Sequence, residues 1–213
     1  MSDLFGAVST ADTGVRSFGD FYETPAWMTR TLLAHHPIKS PLATHLWPDR
    51  PARVFECAAG RGAITRVLET AGCQVIENDL NPLHGRKYQL DMTQRESWLE
   101  VLDAEGAFDY VVTNLPFNIA KRILTVGIDV PLVAFISLLL KSFDEPTGTP
   151  KRPTPDDRGE WLAQHPWTRK INLPRHKFRG TGSPSMASDW FIFERVRDLS
   201  LHPCIVDPLA KTR

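Results

Sequence analysis

The chain has 213 residues, 42% hydrophobic and 23% charged, with 25 Lys and Arg balanced by 25 Asp and Glu. That is enough chain for one sizeable core, and too ordinary a composition for a disordered, collagenous or disulfide-stapled protein. No apolar run reaches the length of a membrane span, Met1 to Thr13 lacks the basic and apolar regions of a signal peptide, and Cys57, Cys73 and Cys204 show no zinc spacing. The expectation is therefore a cytoplasmic protein with no membrane and no metal.

In chain order, residues 1–20 are rich in Ser, Thr, Gly and Asp and read as a loose leader. Thr24-Pro25 opens a helical pattern through Trp27, Met28, Leu32 and Leu33. Thr24 suits its cap, Pro25 its first position, and Pro37 ends it. A strand at Arg53–Cys57 leads into the turn Ala58-Ala59-Gly60-Arg61-Gly62. A helix at Ala63–Thr70 follows, then a second strand at Cys73–Asn78. Such a strand–turn–helix–strand unit implies a right-handed parallel crossover. Further strands are predicted at Phe108–Thr113, Leu132–Leu140 and Ser188–Val196, with helices near Arg95–Leu102 and Ile119–Gly127. The alternation predicts a single α/β domain over residues 21–200, a Rossmann-like doubly wound, mostly parallel seven-stranded sheet with helices on both faces. Residues 144–187 read as a substrate-binding insertion before the last strand, and 201–213 as a tail.

The chemistry begins at the first turn. Gly60 and Gly62 let a ligand approach the backbone, and the following helix offers free N–H groups. A dinucleotide fingerprint wants a third Gly where Thr65 stands. Glu56, at the strand end, would repel a pyrophosphate but suits an ammonium, so the turn, with Ala58, favours S-adenosylmethionine over a dinucleotide. Asp79, followed by Leu80, falls where a carboxylate can accept ribose hydroxyls, with Glu77 a competitor; Asp91-Met92 follows a third short segment and could take the adenine amino group. The plainer alternatives are a tight turn, a loop acid and a helix cap.

Asn114-Leu115-Pro116-Phe117 directly follow a hydrophobic strand. The string resembles the hallmark tetrad, (Asp/Asn/Ser)-Pro-Pro-(Tyr/Phe), of class I S-adenosylmethionine-dependent methyltransferases that modify planar amino groups. Its Leu variant, continued by Asn118-Ile119, is similar to ribosomal RNA adenine dimethyltransferases. The order of a Tyr22/Thr24-Pro25 block, cofactor turn, tetrad and basic C-terminal region resembles compact, often phage-borne, DNA adenine N6-methyltransferases. The resemblance implies that Asn114 and the Leu115 carbonyl accept the target amine's hydrogens, Pro116 stiffens the loop and Phe117 stacks the base. It also implies that Tyr22, Thr24 and Pro25 help close the cofactor site.

From Trp161 to Ala187 there is no Asp or Glu, while Arg169, Lys170, Arg175, Lys177 and Arg179 lie among Trp161, Trp167 and Phe178. Cations interleaved with aromatics suit a phosphate backbone and unstacked bases; a solvated loop is the plainer alternative. The first reading is methylation of adenine N6 in DNA with short or loose specificity. An RNA adenine or a protein glutamine amide is the alternative acceptor. A nicotinamide oxidoreductase and a catalytically dead binding module are readings of other classes.

Overall fold

The structure, a computed structural model, describes residues 23–41, 49–130, 132, 134–144, 148–149, 152–153, 158–175 and 187–194. Helix α1 (Ala26–His35) precedes the alternating unit β1 (Arg53–Glu56), α2 (Ala63–Thr70), β2 (Gln74–Glu77), α3 (Arg95–Glu105), β3 (Tyr110–Asn114), α4 (Ala120–Gly127) and β4 (Ala134–Leu140). A two-residue hairpin, β5 (Gly148–Thr149) and β6 (Arg152–Pro153), is followed by α5 (Arg158–Gln164), β7 (Arg169–Ile171) and β8 (Ser188–Glu194). The main sheet has the order β2-β1-β3-β4-β8-β7; β1 to β4 pair in parallel and β8 runs antiparallel to both neighbours. This is the doubly wound α/β architecture that the alternation predicts.

The expectation of seven strands is corrected to six among the described residues. The third segment, before Asp91, contributes one isolated parallel bridge, Asn78 to Tyr88, instead of a strand. Asn78 accounts for the shortfall. Its buried amide donates to the Cys57 carbonyl and, at 3.1 Å, to that of Leu90, and its oxygen accepts the Leu90 N–H at 2.8 Å, so a side chain replaces the ladder.

Successive strand residues face opposite sides of the sheet. Phe55, Val111 and Phe135 pack with Trp98, Val101, Ile123 and Leu124 of α3 and α4. Val54, Val112 and Ile136 pack with Met28, Leu32, Ile64 and Leu68 of α1 and α2. Helix α4 approaches the sheet through Gly127, where an added Cβ would lie 2.8 Å from the Trp98 ring and against Phe135. Gly127→Ala is expected to cost about 1–3 kcal/mol through overpacking, read as a lowered melting temperature. An unchanged melting temperature would mean that α4 sits further from the sheet.

Two sequence expectations change here. Thr24 does not cap α1: Pro25 occupies the cap position with no side-chain bond to the helix. Within 144–187, expected as one insertion, residues 169–171 join the main sheet as its edge strand β7.

Candidate active site

In the sheet order, β1 is flanked by β2 and β3, so the chain's winding reverses there, and the crevice beyond the carboxyl ends of β1 and β3 is the natural ligand site of such a sheet. Glu56 ends β1 and Asn114 ends β3, so the turn after β1 and the Asn-Leu-Pro-Phe loop both leave the sheet at this edge.

The turn after β1 is held open by backbone geometry. Gly60 and Gly62 have φ of 53° and 74°, a left-handed region where a side chain is strained. A Cβ on Gly62 would also meet Glu77 Oε1 at 3.0 Å, so the turn fits only with its backbone bare. Gly62 precedes α2 without any side-chain cap, and within the first turn the Thr65 N–H is already directed at the Glu56 carboxyl.

Three acidic residues surround this turn in different states. Glu56 is 1% exposed at the end of β1 and accepts a hydrogen bond from the Thr65 hydroxyl. Burial pushes its carboxyl up to about 8; the Thr65 hydrogen bond opposes the rise, the nearby Glu77 adds to it and Arg86 eases it. Asp79 accepts the Gly60 N–H at 2.7 Å and the Asn81 N–H at 2.9 Å, with His84 Nδ1 also 2.9 Å away, so it braces the turn from below. Glu77 forms a half-buried pair with Arg86 at 2.8 and 3.0 Å, while Arg86 Nε donates to the Gly60 carbonyl at 2.8 Å. Leu80, 57% exposed, leaves an apolar rim just past β2.

Asp91 is exposed and accepts the Thr93 amide and hydroxyl at 2.9 and 2.8 Å, the cap-like alternative of the sequence reading. Met92 is buried, with its carbonyl taking the Trp98 indole N–H at 2.8 Å. Ala58 is half-buried within the turn. The Cys57 thiol is pushed up to about 12, chiefly by burial, and is inert as a nucleophile.

On the neighbouring strand, Asn114 closes β3 opposite Leu138 of β4 and is half-buried. Its Nδ2 donates to the Thr24 hydroxyl at 3.0 Å, across 90 positions of chain. Leu115 is 1% exposed, part of the core cluster on the α3/α4 side. This gives the departure from Pro a physical meaning: the loop is pinned by a buried side chain where a ring would stiffen it. The Pro116 carbonyl accepts the Ile119 N–H at 3.0 Å and turns the chain into α4, and Phe117 is half-buried in that turn.

The basic segment is partly absorbed by the fold. Arg169 donates to the His35 carbonyl at 2.9 Å, and Lys170 lies 3.8 Å from the buried Asp189 and 4.9 Å from the centre of the Phe191 ring. Trp161 is buried against Phe143 and Phe193, and Trp167 packs edge-on to Phe191. Arg175 is exposed. Tyr22, Lys177 and Arg179 lie outside the described residues. Sequence reasoning does not single out Arg86, Asn78 and Thr65 as site residues: the fold, not a local pattern, pairs each with its partner. No cluster of metal-ligating side chains occurs among the described residues, and no described helix is long and apolar enough to cross a membrane.

No model of a known family matches the sequence, and no curated protein does. Among solved structures, the chain is similar to a dimethyladenosine transferase from Plasmodium falciparum, with 15% identity and a TM-score of 0.48. The match covers 82% of this chain and 62% of that one, so the chain spans less than two thirds of that protein. It is also similar to a SAM-dependent methyltransferase from Agrobacterium tumefaciens (12% identity, TM-score 0.45, 80% and 62% covered). TehB from Haemophilus influenzae is a third (13% identity, TM-score 0.41, 68% and 58% covered). At these identities the likeness is a loose one, and the chemistry has to be read from this chain's own residues.

Proposed function

We propose that the protein transfers a methyl group from S-adenosylmethionine to a planar exocyclic amine, adenine N6 of a nucleic acid. The observation that carries this reading is the pairing, at adjacent strand ends, of a bare-backbone turn over a buried carboxyl with an Asn-Leu-Pro-Phe loop.

The residues around the turn fit the cofactor. Glu56 is a buried carboxyl held by the Thr65 hydroxyl, and its charged form suits the ligand's ammonium. The α2 N-terminus suits the ligand's carboxylate. Asp79, with Glu77 the competitor beside it, suits the ribose hydroxyls, and Leu80 suits the adenine face. When bound, the cofactor supplies an electrophilic methyl: the N–C bond forms as the S–C bond breaks, sulfur keeps the electron pair as a thioether, and the amine's extra proton passes to water. The chain's own work is positioning. Asn114 Oδ1 and the Leu115 carbonyl accept the amine's two hydrogens and draw the nitrogen lone pair out of conjugation. Phe117 offers a face to the base.

DNA as acceptor is favoured by the contact of the Thr24-Pro25 block with the tetrad, the block being the feature shared with DNA adenine enzymes. RNA is favoured by the Asn-Leu-Pro-Phe-Asn-Ile string itself. Arg175, Lys177 and Arg179 are the cations proposed to meet phosphate, since Arg169 and Lys170 already hold intramolecular partners.

The test is methyl transfer from labelled S-adenosylmethionine to duplex DNA, single-stranded DNA, RNA and protein extract. Label in N6-methyladenine of DNA or of RNA identifies the acceptor; label only in protein overturns the nucleic-acid reading. Beforehand, S-adenosylhomocysteine at about 100 times its Kd should stabilise the protein by about 2.7 kcal/mol in a thermal melt, and NADH should not. The reverse pattern would mean a nicotinamide enzyme.

A further inference from the structure

We infer that Thr24 is a positioning residue for the acceptor amine, acting through Asn114; the inference rests on the functional reading above. A primary amide has an accepting end and a donating end, and only the accepting end can take a hydrogen from an amine. Half-exposed at a strand end, the Asn114 amide needs a partner to hold it in one orientation. The Thr24 hydroxyl, which can donate as well as accept, accepts from Nδ2 at 3.0 Å, and this pairing leaves Oδ1 on the far side of the amide.

Thr24 is suited to the task by burial and by anchoring. It is 5% exposed, so its hydroxyl is held apart from bulk water that would compete for the amide. The helix it precedes is fixed independently: Met28 and Leu32 are fully buried, and the Trp190 indole N–H donates to the Met28 carbonyl at 2.9 Å. Pro25 holds the backbone at φ −57°, and its carbonyl accepts the Met28 N–H at 2.9 Å. The hydroxyl is thus carried on a support tied to β8, while Asn114 sits on β3, and the bond fixes the amide from outside its own strand. With no cap bond to α1, the Thr24 side chain has this amide as its described partner.

The experiment compares the wild type with Thr24→Val, Thr24→Ser and the double variant Thr24→Val with Asn114→Ala. Three readouts are taken: calorimetric binding of S-adenosylhomocysteine, steady-state methyl transfer to whichever nucleic acid the wild type modifies, and the Asn114 side-chain amide signals in a 15N-labelled sample. Expected are unchanged binding within about twofold, a fall in kcat of about tenfold or more for Thr24→Val, and recovery of most of it in Thr24→Ser. In the amide spectrum, one Asn114 hydrogen should exchange slowly in wild type and in Thr24→Ser and rapidly in Thr24→Val. The double variant should be no slower than Asn114→Ala alone, since the two act as a unit.

Wild-type turnover by Thr24→Val overturns the proposal. So does a Thr24→Val defect confined to cofactor affinity, which would make Thr24 part of the cofactor lid, and so does a defect that Thr24→Ser fails to repair. Failure of the underlying reading looks different: the wild type itself transfers no methyl group to any acceptor, whatever the Asn114 amide shows.

Discussion

Glu56→Gln is expected to stabilise the cofactor-free protein at pH 8 while sharply weakening cofactor binding. The two effects have one cause. A carboxyl that ordinarily ionises near 4.5 is held protonated up to about 8 because its charged form has lost water. Below about 4.5, folded and unfolded chains both carry the proton, and the residue's contribution to stability is fully present. As pH rises from there the unfolded chain ionises and the folded one does not, so stability declines steadily until the folded protein also ionises at about 8. At pH 8 the accumulated cost is on the order of a few kcal/mol. Glutamine has the same shape, still accepts from Thr65 and never ionises, so the melting temperature of the variant should rise by several degrees at pH 8 and hardly at all at pH 4.5.

Binding runs the opposite way. A cationic amine beside Glu56 favours the ionised form, so binding near neutrality must expel the proton. Affinity of the wild type for S-adenosylhomocysteine should therefore climb about tenfold per pH unit from 6 towards 8 and then level off. At pH 7, calorimetry in two buffers of different ionisation enthalpy should count close to one proton released. In Glu56→Gln the slope and the released proton both vanish, so the loss of affinity against wild type is largest at pH 8. Affinity independent of pH between 6 and 8 in the wild type would remove Glu56 from the ammonium site.

The elements that could be read from sequence are those whose cause is local. Helix α2 begins and ends at the residues expected, because Gly62 and Ala71-Gly72 bound a short amphipathic run. Strands β1 to β4 and β8 are within two residues of expectation at their described ends, since each is a short apolar run between turn residues. What escaped the sequence has its cause elsewhere in the chain. Thr24 has the composition of a helix cap, and only the fold brings Asn114 to its hydroxyl. Arg169 and Lys170 read as free cations because their partners, the His35 carbonyl and Asp189, are distant in sequence. Strand β7 spans three residues of which only Ile171 is buried, too short a run to show a period beside two cations. The seventh strand was expected by analogy with a full doubly wound sheet; the side chain of Asn78 does its bonding over a stretch too short to show a period.

The site divides along the same line. Gly60, Gly62, Glu56 and the tetrad could be singled out because each group is nearly contiguous in sequence and directly follows an apolar run. Arg86, in a loop with no pattern, could not, although it binds both Glu77 and the Gly60 carbonyl. Both acids of the pair hold protein partners, Asp79 the Gly60 and Asn81 N–H groups and Glu77 the Arg86 guanidinium through both oxygens, so their bonding sets neither apart for the ribose.

Asn114→Ala is expected to lower kcat by about 10²–10³-fold with little change in affinity for S-adenosylhomocysteine. The asymmetry follows from what the side chain touches. Its one described side-chain bond goes to Thr24, and its accepting oxygen is proposed to meet a hydrogen whose acidity grows only as the amine becomes tetrahedral. An interaction that strengthens towards the transition state appears in kcat and not in binding. Asn114→Asp refines the point. Aspartate offers only acceptors, so it cannot be presented wrongly and has no need of Nδ2; the Thr24 hydroxyl then donates to it. The Asp variant should keep activity within about tenfold of wild type and, unlike the Asn protein, should lose little more on Thr24→Val. Equal losses for Ala and Asp at 114 would mean that the amide's NH2, not its oxygen, faces the acceptor, and would reverse the orientation on which the tetrad's role depends.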